Sequence, residues 1–334
     1  MGERRVRIAD IAGELGLSTA TVSNVIHGKT KKISDETVKR VQTLLEERQY
    51  IPSMAGLLLA QNDSRIIGVV VNNHEKYGGK VLEDGFIASS LNCLSEEIER
   101  AGYFMMVKTT KDCKEIVRFG SMWNMEGLVV IGFCGQDYQK LRESMHIPFV
   151  VYDGFFTERG RLANITIDNY DGGFQAGSYL REMGHKKALC IADNGICMDQ
   201  ERYEGFLSAM GEAHTERMIL PMEEESRRRF YTENLEKIRS FTAVFAVSDY
   251  YALELMNYLR AQGTAVPDEI SLIGFDDSPL CRQAYPPLTT IRQDSRRRAE
   301  EAIRILKELK QGNCLQERVV LPVRLVERES VRRL

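Results

Sequence analysis

From Ile66 onward the chain alternates short, unbroken apolar runs with longer amphipathic stretches, and that alternation leaves few folds open. The runs Ile66–Val71, Tyr103–Val107, Gly127–Ile131, Phe149–Tyr152, Ala188–Ala192, Ala243–Val247 and Ile270–Phe275 have no polar face. Strands apolar on both sides belong to parallel sheets covered on both faces by helices. Helical stretches such as Phe86–Ala101, Gly172–Met183, Asp249–Ala261 and Ser295–Lys310 supply that cover. The fold class is therefore α/β. With 334 residues the chain exceeds one compact core, so this region divides into two lobes with a cleft at the carboxyl ends of the strands.

The first sixty residues read differently. Ile8, Ile11, Ala12 and Leu15 form one helical stripe, and Gly16 permits a tight turn. A second short helix follows, with Ser18 placed to cap it and Gly28 placed to stop it. Val22, Val25 and Ile26 line its inner side; Thr19, Ala20, Ser23, Asn24 and His27 line the other, without a single charge. A third helix from Ser34 to Gln49 carries Val38, Val41, Leu44 and Leu45. Two short helices around a glycine turn, completed by a third, make a helix-turn-helix unit. A neutral face of small groups suits close approach to base edges in a major groove, and it also suits a plain solvated surface.

Charge favours the first reading. The net charge is −3, yet residues 1–65 are about +2 and the rest about −5, with Arg4, Arg5, Arg7, Lys29, Lys31 and Lys32 bunched around the opening helices. The seven cysteines are scattered without a C-x-x-C pair, which points to free thiols in a reducing compartment. No apolar leader or membrane-length run is present, so a cytoplasmic protein is expected. No nucleophile elbow, phosphate-binding loop or dinucleotide fingerprint occurs, and the five histidines lack metal spacing; no catalytic residue, metal or cofactor is expected.

The run Ile8 to His27, with Thr21-Val22-Ser23 at its core, then Ile33-Ser34 through Tyr50-Ile51-Pro52, resembles the DNA-binding headpiece of the lactose/galactose repressor (LacI/GalR) family. Further along, Asp168-Asn169-x-x-Gly172-Gly173, Gly184-His185-Lys186, Arg202-x-x-Gly205-Phe206, Ile273 to Asp277, Pro287 to Ile291 and Leu325 to Ser330 resemble that family's sensor core, itself similar to periplasmic sugar-binding proteins. The resemblance spans essentially the whole chain. It implies a headpiece over 1–50, a hinge over 51–64, a first lobe from 65–165 and 291–322, and a second lobe from 166–290 and 323–334. It implies that Thr19, Ala20 and Asn24 read bases, that Thr21, Ser23 and His27 touch phosphates, and that Leu59 of a hinge helix wedges into the minor groove. Gly56 and Leu57 depart from the family's hinge pattern, and Arg7 stands where it favours a threonine cap.

For the cleft, a carboxylate at the end of an apolar strand can accept from neighbouring sugar hydroxyls while an arginine donates to others. The resemblance places Asp276 and Arg202 in those roles, with Asp168 near the same mouth; a turn cap and a surface ion pair are the ordinary alternatives. Ser248-Asp249 stands where the family commonly has Asn-Asp, so Ser248 is a candidate contact. Asn72, Asn73 and Tyr77 can bond to or stack on a ring from the loop after the first strand. The expectation is a repressor that binds a palindromic double-stranded DNA operator as a homodimer, under a small-molecule effector, a carbohydrate first. The alternatives are a transport-type solute-binding protein, or a regulator answering to a nucleobase or a phosphoprotein corepressor.

Overall fold

The computed structural model describes residues 6–51, 64–133, 135–156, 163–313 and 317–334. The chain divides into two units, residues 1–64 and 65–334. The expected hinge, with Gly56, Leu57 and the wedge residue Leu59, lies outside the described residues.

In the first unit α1 (Ile8–Leu15), α2 (Thr19–Ile26) and α3 (Asp35–Glu47) close around Ile11, Ala12, Val22, Val25 and Val41. Gly16 adopts the left-handed conformation (φ 66°), which a side chain would oppose, and so makes the turn into α2. Ser18 caps α2 by accepting from Thr21 N–H (3.1 Å), and Ser34 caps α3 by accepting from Thr37 N–H (3.3 Å). At α1 the missing threonine is offset from the opposite direction: Asp10 reaches back and accepts from the Arg7 N–H at 2.8 Å.

The second unit holds two six-stranded sheets. The first has the order β11-β5-β4-β3-β1-β2, with β1 Ile66–Val71, β2 Phe104–Thr109, β3 Gly127–Ile131, β4 Phe149–Tyr152, β5 Ala163–Ile167 and β11 Glu317–Leu321, all parallel. The second has the order β12-β10-β9-β8-β6-β7, with β6 Ala188–Ala192, β7 Thr215–Ile219, β8 Ala243–Ala246, β9 Ser271–Asp276, β10 Thr289–Arg292 and β12 Arg324–Val326. Only β12, against β10, runs antiparallel in the described ladders. Helices α4 (Gly85–Arg100), α5 (Cys113–Met122), α6 (Gly135–Ser144), α7 (Asn169–Glu182), α8 (Cys197–Met210), α9 (Glu224–Arg239), α10 (Asp249–Ala261) and α11 (Ser295–Lys310) cover the sheets. No helix among the described residues is long and apolar enough to cross a membrane.

The chain passes from the first sheet to the second after Ile167, returns after Arg292 and leaves again after Leu321. The return differs from the expected boundary at 291. Strand β10 belongs whole to the second sheet, because Thr289 N–H donates to Ser330 Oγ (2.8 Å) and Thr290 Oγ1 to Asp249 (2.5 Å). The five strands that apolar runs did not reveal, β5, β7, β10, β11 and β12, carry polar residues. Inside β5, Asn164 is fully buried but satisfied, exchanging hydrogen bonds with both backbone groups of Gly154.

Candidate functional site

On α2 the structure exposes Thr19, Ala20 and Asn24 and half-buries Thr21, Ser23 and His27. The inner side is spent on the core, where Val22 is fully buried and Val25 nearly so. Exposed Lys29, Lys31 and Lys32 follow directly. The outward surface therefore holds short hydroxyl, methyl and amide groups flanked by cations, the arrangement that admits a helix into a groove and holds it there by phosphate contacts.

In the second unit, the loops at the carboxyl ends of the two sheets meet. Lys76, in the 3-10 turn Glu75–Tyr77 after β1, reaches Asp193 after β6, with Nζ to Oδ2 at 3.6 Å. Gly85 lies so close to Ser278 that a Cβ there would come within 2.9 Å of it. These contacts define an interlobe cleft.

Asp276 and Arg202 lie on its second-lobe side, Arg202 over the ring of Phe275, the residue before Asp276. Asp276 ends β9 with φ 121°, in the left-handed half of backbone space, and accepts a hydrogen bond from Gln293 Nε2. Burial pushes its carboxyl well above the usual range, and the Arg202 guanidinium works against that shift. Arg202, 6% exposed, donates from Nε to Asn169 Oδ1 (2.9 Å) and from Nη1 to the Val247 carbonyl (2.6 Å), its guanidinium 3.8 Å above the Phe275 ring. Those bonds fix the fork. Arg202 gets this close because α7 and α8 cross with their backbones in contact: a Cβ on Gly173 would sit 1.9 Å from the Arg202 carbonyl oxygen.

Two of the remaining expected contacts also cap helices. Asp168 is exposed and caps α7, accepting from Asp171 N–H at 2.8 Å. Ser248 caps α10, accepting from Tyr251 N–H at 3.4 Å. Asn73 lines a hollow with His74, Gly78, Thr110 and Lys111, and its Oδ1 is buried without a partner. Asp249 is structural: fully enclosed beneath Gly274, it ties Ser278 N–H (2.7 Å) and Thr290 to one carboxylate.

Several cleft residues were not singled out from the sequence. Gln293 links Asp276 to Arg298, which donates to its Oε1 at 2.6 Å. Arg298, wholly buried on α11, lies 3.2 Å from Asp153 at the end of β4. Beside them Tyr152 OH is buried without a partner. In the second lobe Asp193 accepts from Tyr251 OH (2.7 Å) and Asn194 Nδ2 (2.5 Å), and Asn194 also donates to Asp199 (3.0 Å). Burial and the Asp193 charge push Asp199 up to about 7. Tyr77 is pushed up to about 12 by burial, against the Lys76 ammonium, which lies 5.1 Å from its ring centroid. No group of side chains among the described residues is arranged to hold a metal ion. Cys93, Cys113, Cys190 and Cys281 are free thiols.

Comparison with known proteins follows the same division. Residues 7–53 match the profile of bacterial regulatory proteins of the lacI family, and residues 178–331 match a periplasmic binding protein-like domain. The HTH-type transcriptional repressor PurR of Vibrio atlanticus (strain LGP32) is 30% identical over 98% of this chain and 99% of its own length. The same-named repressor of Vibrio parahaemolyticus is 31% identical at the same coverage. Among solved structures, the Lac repressor dimer bound to operator and the anti-inducer ONPF superimposes with a TM-score of 0.82 at 23% identity, covering 98% of this chain and 100% of that one. The transcriptional regulator CelR–cellobiose complex gives 0.71 at 24%, with the same coverage. The chain thus belongs to the lacI family of bacterial regulatory proteins, and it is a DNA-binding transcriptional regulator with an effector-binding domain, not an enzyme.

Proposed function

We propose that this regulator binds a palindromic operator as a homodimer through α2, and that a polyhydroxylated small molecule in the interlobe cleft sets its operator affinity. The observation that carries the effector reading is the pairing of Asp276 with Arg202. A fixed guanidinium and a strand-end carboxyl together offer hydrogen-bond donors and acceptors to neighbouring hydroxyls. The cellobiose held by the similarly folded CelR supports a carbohydrate. Thr19, Ala20 and Asn24 are the base-reading residues in this reading, and Thr21, Ser23 and His27 the phosphate contacts. A single headpiece covers a half-site, so the palindrome calls for two copies. Asp168, Ser248 and Asn73 border the cleft as second contacts, the first two through caps that already occupy an oxygen.

Effector control then follows as a population shift. A ligand that touches both lobes favours the closed arrangement only by its difference in affinity between the two states. A thermal-shift screen of the full chain over sugars, sugar phosphates and nucleobases tests the site, with Asp276→Ala as control. At one hundred times its Kd a cleft ligand adds about 2.7 kcal/mol. A stabilising sugar whose effect Asp276→Ala removes supports the reading; a nucleobase that does the same moves the effector to that class. Stabilisation indifferent to Asp276→Ala, or none, refutes the site.

A further inference from the structure

One part of the cleft is more acidic and more elaborately built than hydroxyl recognition requires. Asp193, 5% exposed, is held by Tyr251 OH and Asn194, and Asn194 bridges it to Asp199. Tyr251 is backed in turn by Arg227, 1% exposed, whose guanidinium lies 5.3 Å from the Tyr250 ring and 5.5 Å from that of Tyr251. Arg227 donates to Glu254 from Nε (2.8 Å) and Nη2 (3.0 Å), which locks it in place. The Asp193 carboxylate on so rigid a frame, with Asp199 bridged to it, makes a receptor for positive charge.

A positive charge already stands there. The Lys76 ammonium lies 3.6 Å from Asp193 Oδ2. Burial opposes its charge, yet the neighbouring Tyr77, Asp193, Asp199 and Asp84 hold it firmly protonated. The contrast with the other cleft cations is informative. Arg202 and Arg298 are fixed by hydrogen bonds to their own lobes. Lys76 comes from the opposite lobe, its side chain is one-third exposed (34%), and Gly78 and Gly79 follow it in left-handed conformations. Its arm is free to withdraw.

We infer that the effector carries a protonated amine, and that this ammonium displaces Lys76 and takes its place beside Asp193 and Asp199. The inference rests on the cleft being the effector site and narrows its ligand to amine-bearing sugars. The ion pair points the same way: with Lys76 withdrawn, the buried Asp193 carboxylate is left without its cation, and a ligand ammonium restores the pair. Lys76 acts as a tethered competitor, so the effector exchanges one ammonium for another and no buried carboxylate is left unpaired.

Isothermal titration of the full-length protein with glucosamine, N-acetylglucosamine, glucose and hypoxanthine tests this. Glucosamine is expected to bind at least about tenfold more tightly than its N-acetyl and hydroxyl analogues. Asp193→Asn is expected to erase that preference while leaving the weak N-acetylglucosamine binding in place, and Lys76→Met to tighten glucosamine alone, severalfold. A wild-type-like circular dichroism spectrum and a cooperative thermal transition for each variant show that it is folded. Equal affinity for the amine and its N-acetyl analogue, or a Lys76→Met variant that binds glucosamine no better, overturns the inference while leaving the cleft reading standing. Binding of none of the probes overturns both, and tight hypoxanthine binding alone overturns the amine while retaining the cleft.

Discussion

The crossing of α7 and α8 sets the position of Arg202, and replacing Gly173 with alanine tests that dependence in a single methyl group. Gly173 does not need glycine for its backbone angles; it needs the space. Its added Cβ would lie 1.9 Å from the Arg202 carbonyl oxygen, 2.8 Å from the Arg202 carbonyl carbon and 2.9 Å from the Phe206 nitrogen. All three are backbone atoms, so no rotamer change relieves the clash. Restoring ordinary contact moves the helices apart by roughly 1.5 Å. The same seam is tight elsewhere, since a Cβ on Gly205 would meet the Tyr170 carbonyl oxygen at 1.9 Å. Overpacking of this kind costs about 1–3 kcal/mol. A shift of that size also breaks the 2.6 Å bond from Arg202 to the Val247 carbonyl, a charge-assisted bond worth about 1.5–3 kcal/mol. Gly173→Ala is therefore expected to lose about 2.5–6 kcal/mol, or roughly 5–24 °C in the melting temperature of the core unit. Thermal unfolding followed by circular dichroism measures it, beside effector titration, which should weaken as Arg202 moves. Gly13→Ala is the control: it sits exposed on α1 with nothing within 4 Å of its added Cβ, and it should stabilise the headpiece by about 1 kcal/mol. A Gly173→Ala protein that melts with the wild type and binds effector normally would refute the reasoning.

Other perturbations separate the frame from the site. Arg227→Met removes the buried partner of Glu254, the donor to Tyr250 OH and the donor to the Met222 carbonyl, and should cost about 3–5 kcal/mol by chemical denaturation; a loss below about 1 kcal/mol contradicts its bracing role. Asp199 titrates at about 7 in the folded protein against 3.8 when unperturbed, so the folded state holds its proton longer. Its contribution favours folding at low pH and is lost as pH rises from about 4 to about 7, by at most about 4 kcal/mol. Comparing wild type with Asp199→Asn across that window should show the wild type losing stability relative to the variant as pH rises, and parallel curves would contradict it. Asp276→Ala should abolish the response to effector while leaving effector-free operator affinity within about twofold, as gel-shift titration measures; lost operator binding would place Asp276 in the frame instead.

The headpiece was legible in the sequence because its signals are local. Ser18, Gly16 and the apolar stripes act within a turn or two, and the structure places each as its neighbours dictate. The two lobes were legible from runs such as Gly127–Ile131, which have no polar side to expose. Two of the strands that escaped, β5 and β10, carry buried polar residues satisfied by partners outside the strand, as Thr289 is by Ser330 and Asn164 by Gly154; β7 and β12 escaped because their polar residues are half-buried or exposed. The site shows the same limit. Asp276 and Arg202 stood out through local motifs, whereas the Lys76–Asp193 contact joins loops of two different sheets and leaves no trace in spacing. Asp168 and Ser248 teach a related lesson: each directly precedes a helix, and that position makes an oxygen a cap before it makes it a ligand contact.

The central claim is that α2 reads DNA and that its neutral outer face carries the specificity. Selection of randomised duplexes by the full-length protein, repeated with Asn24→Ala, tests it most directly. The expected result is enrichment of a palindromic sequence by the wild type, and loss of preference at one symmetric base-pair position in the variant, worth about 1–3 kcal/mol per half-site. Enrichment of no palindrome, or an identical palindrome from Asn24→Ala, would contradict it.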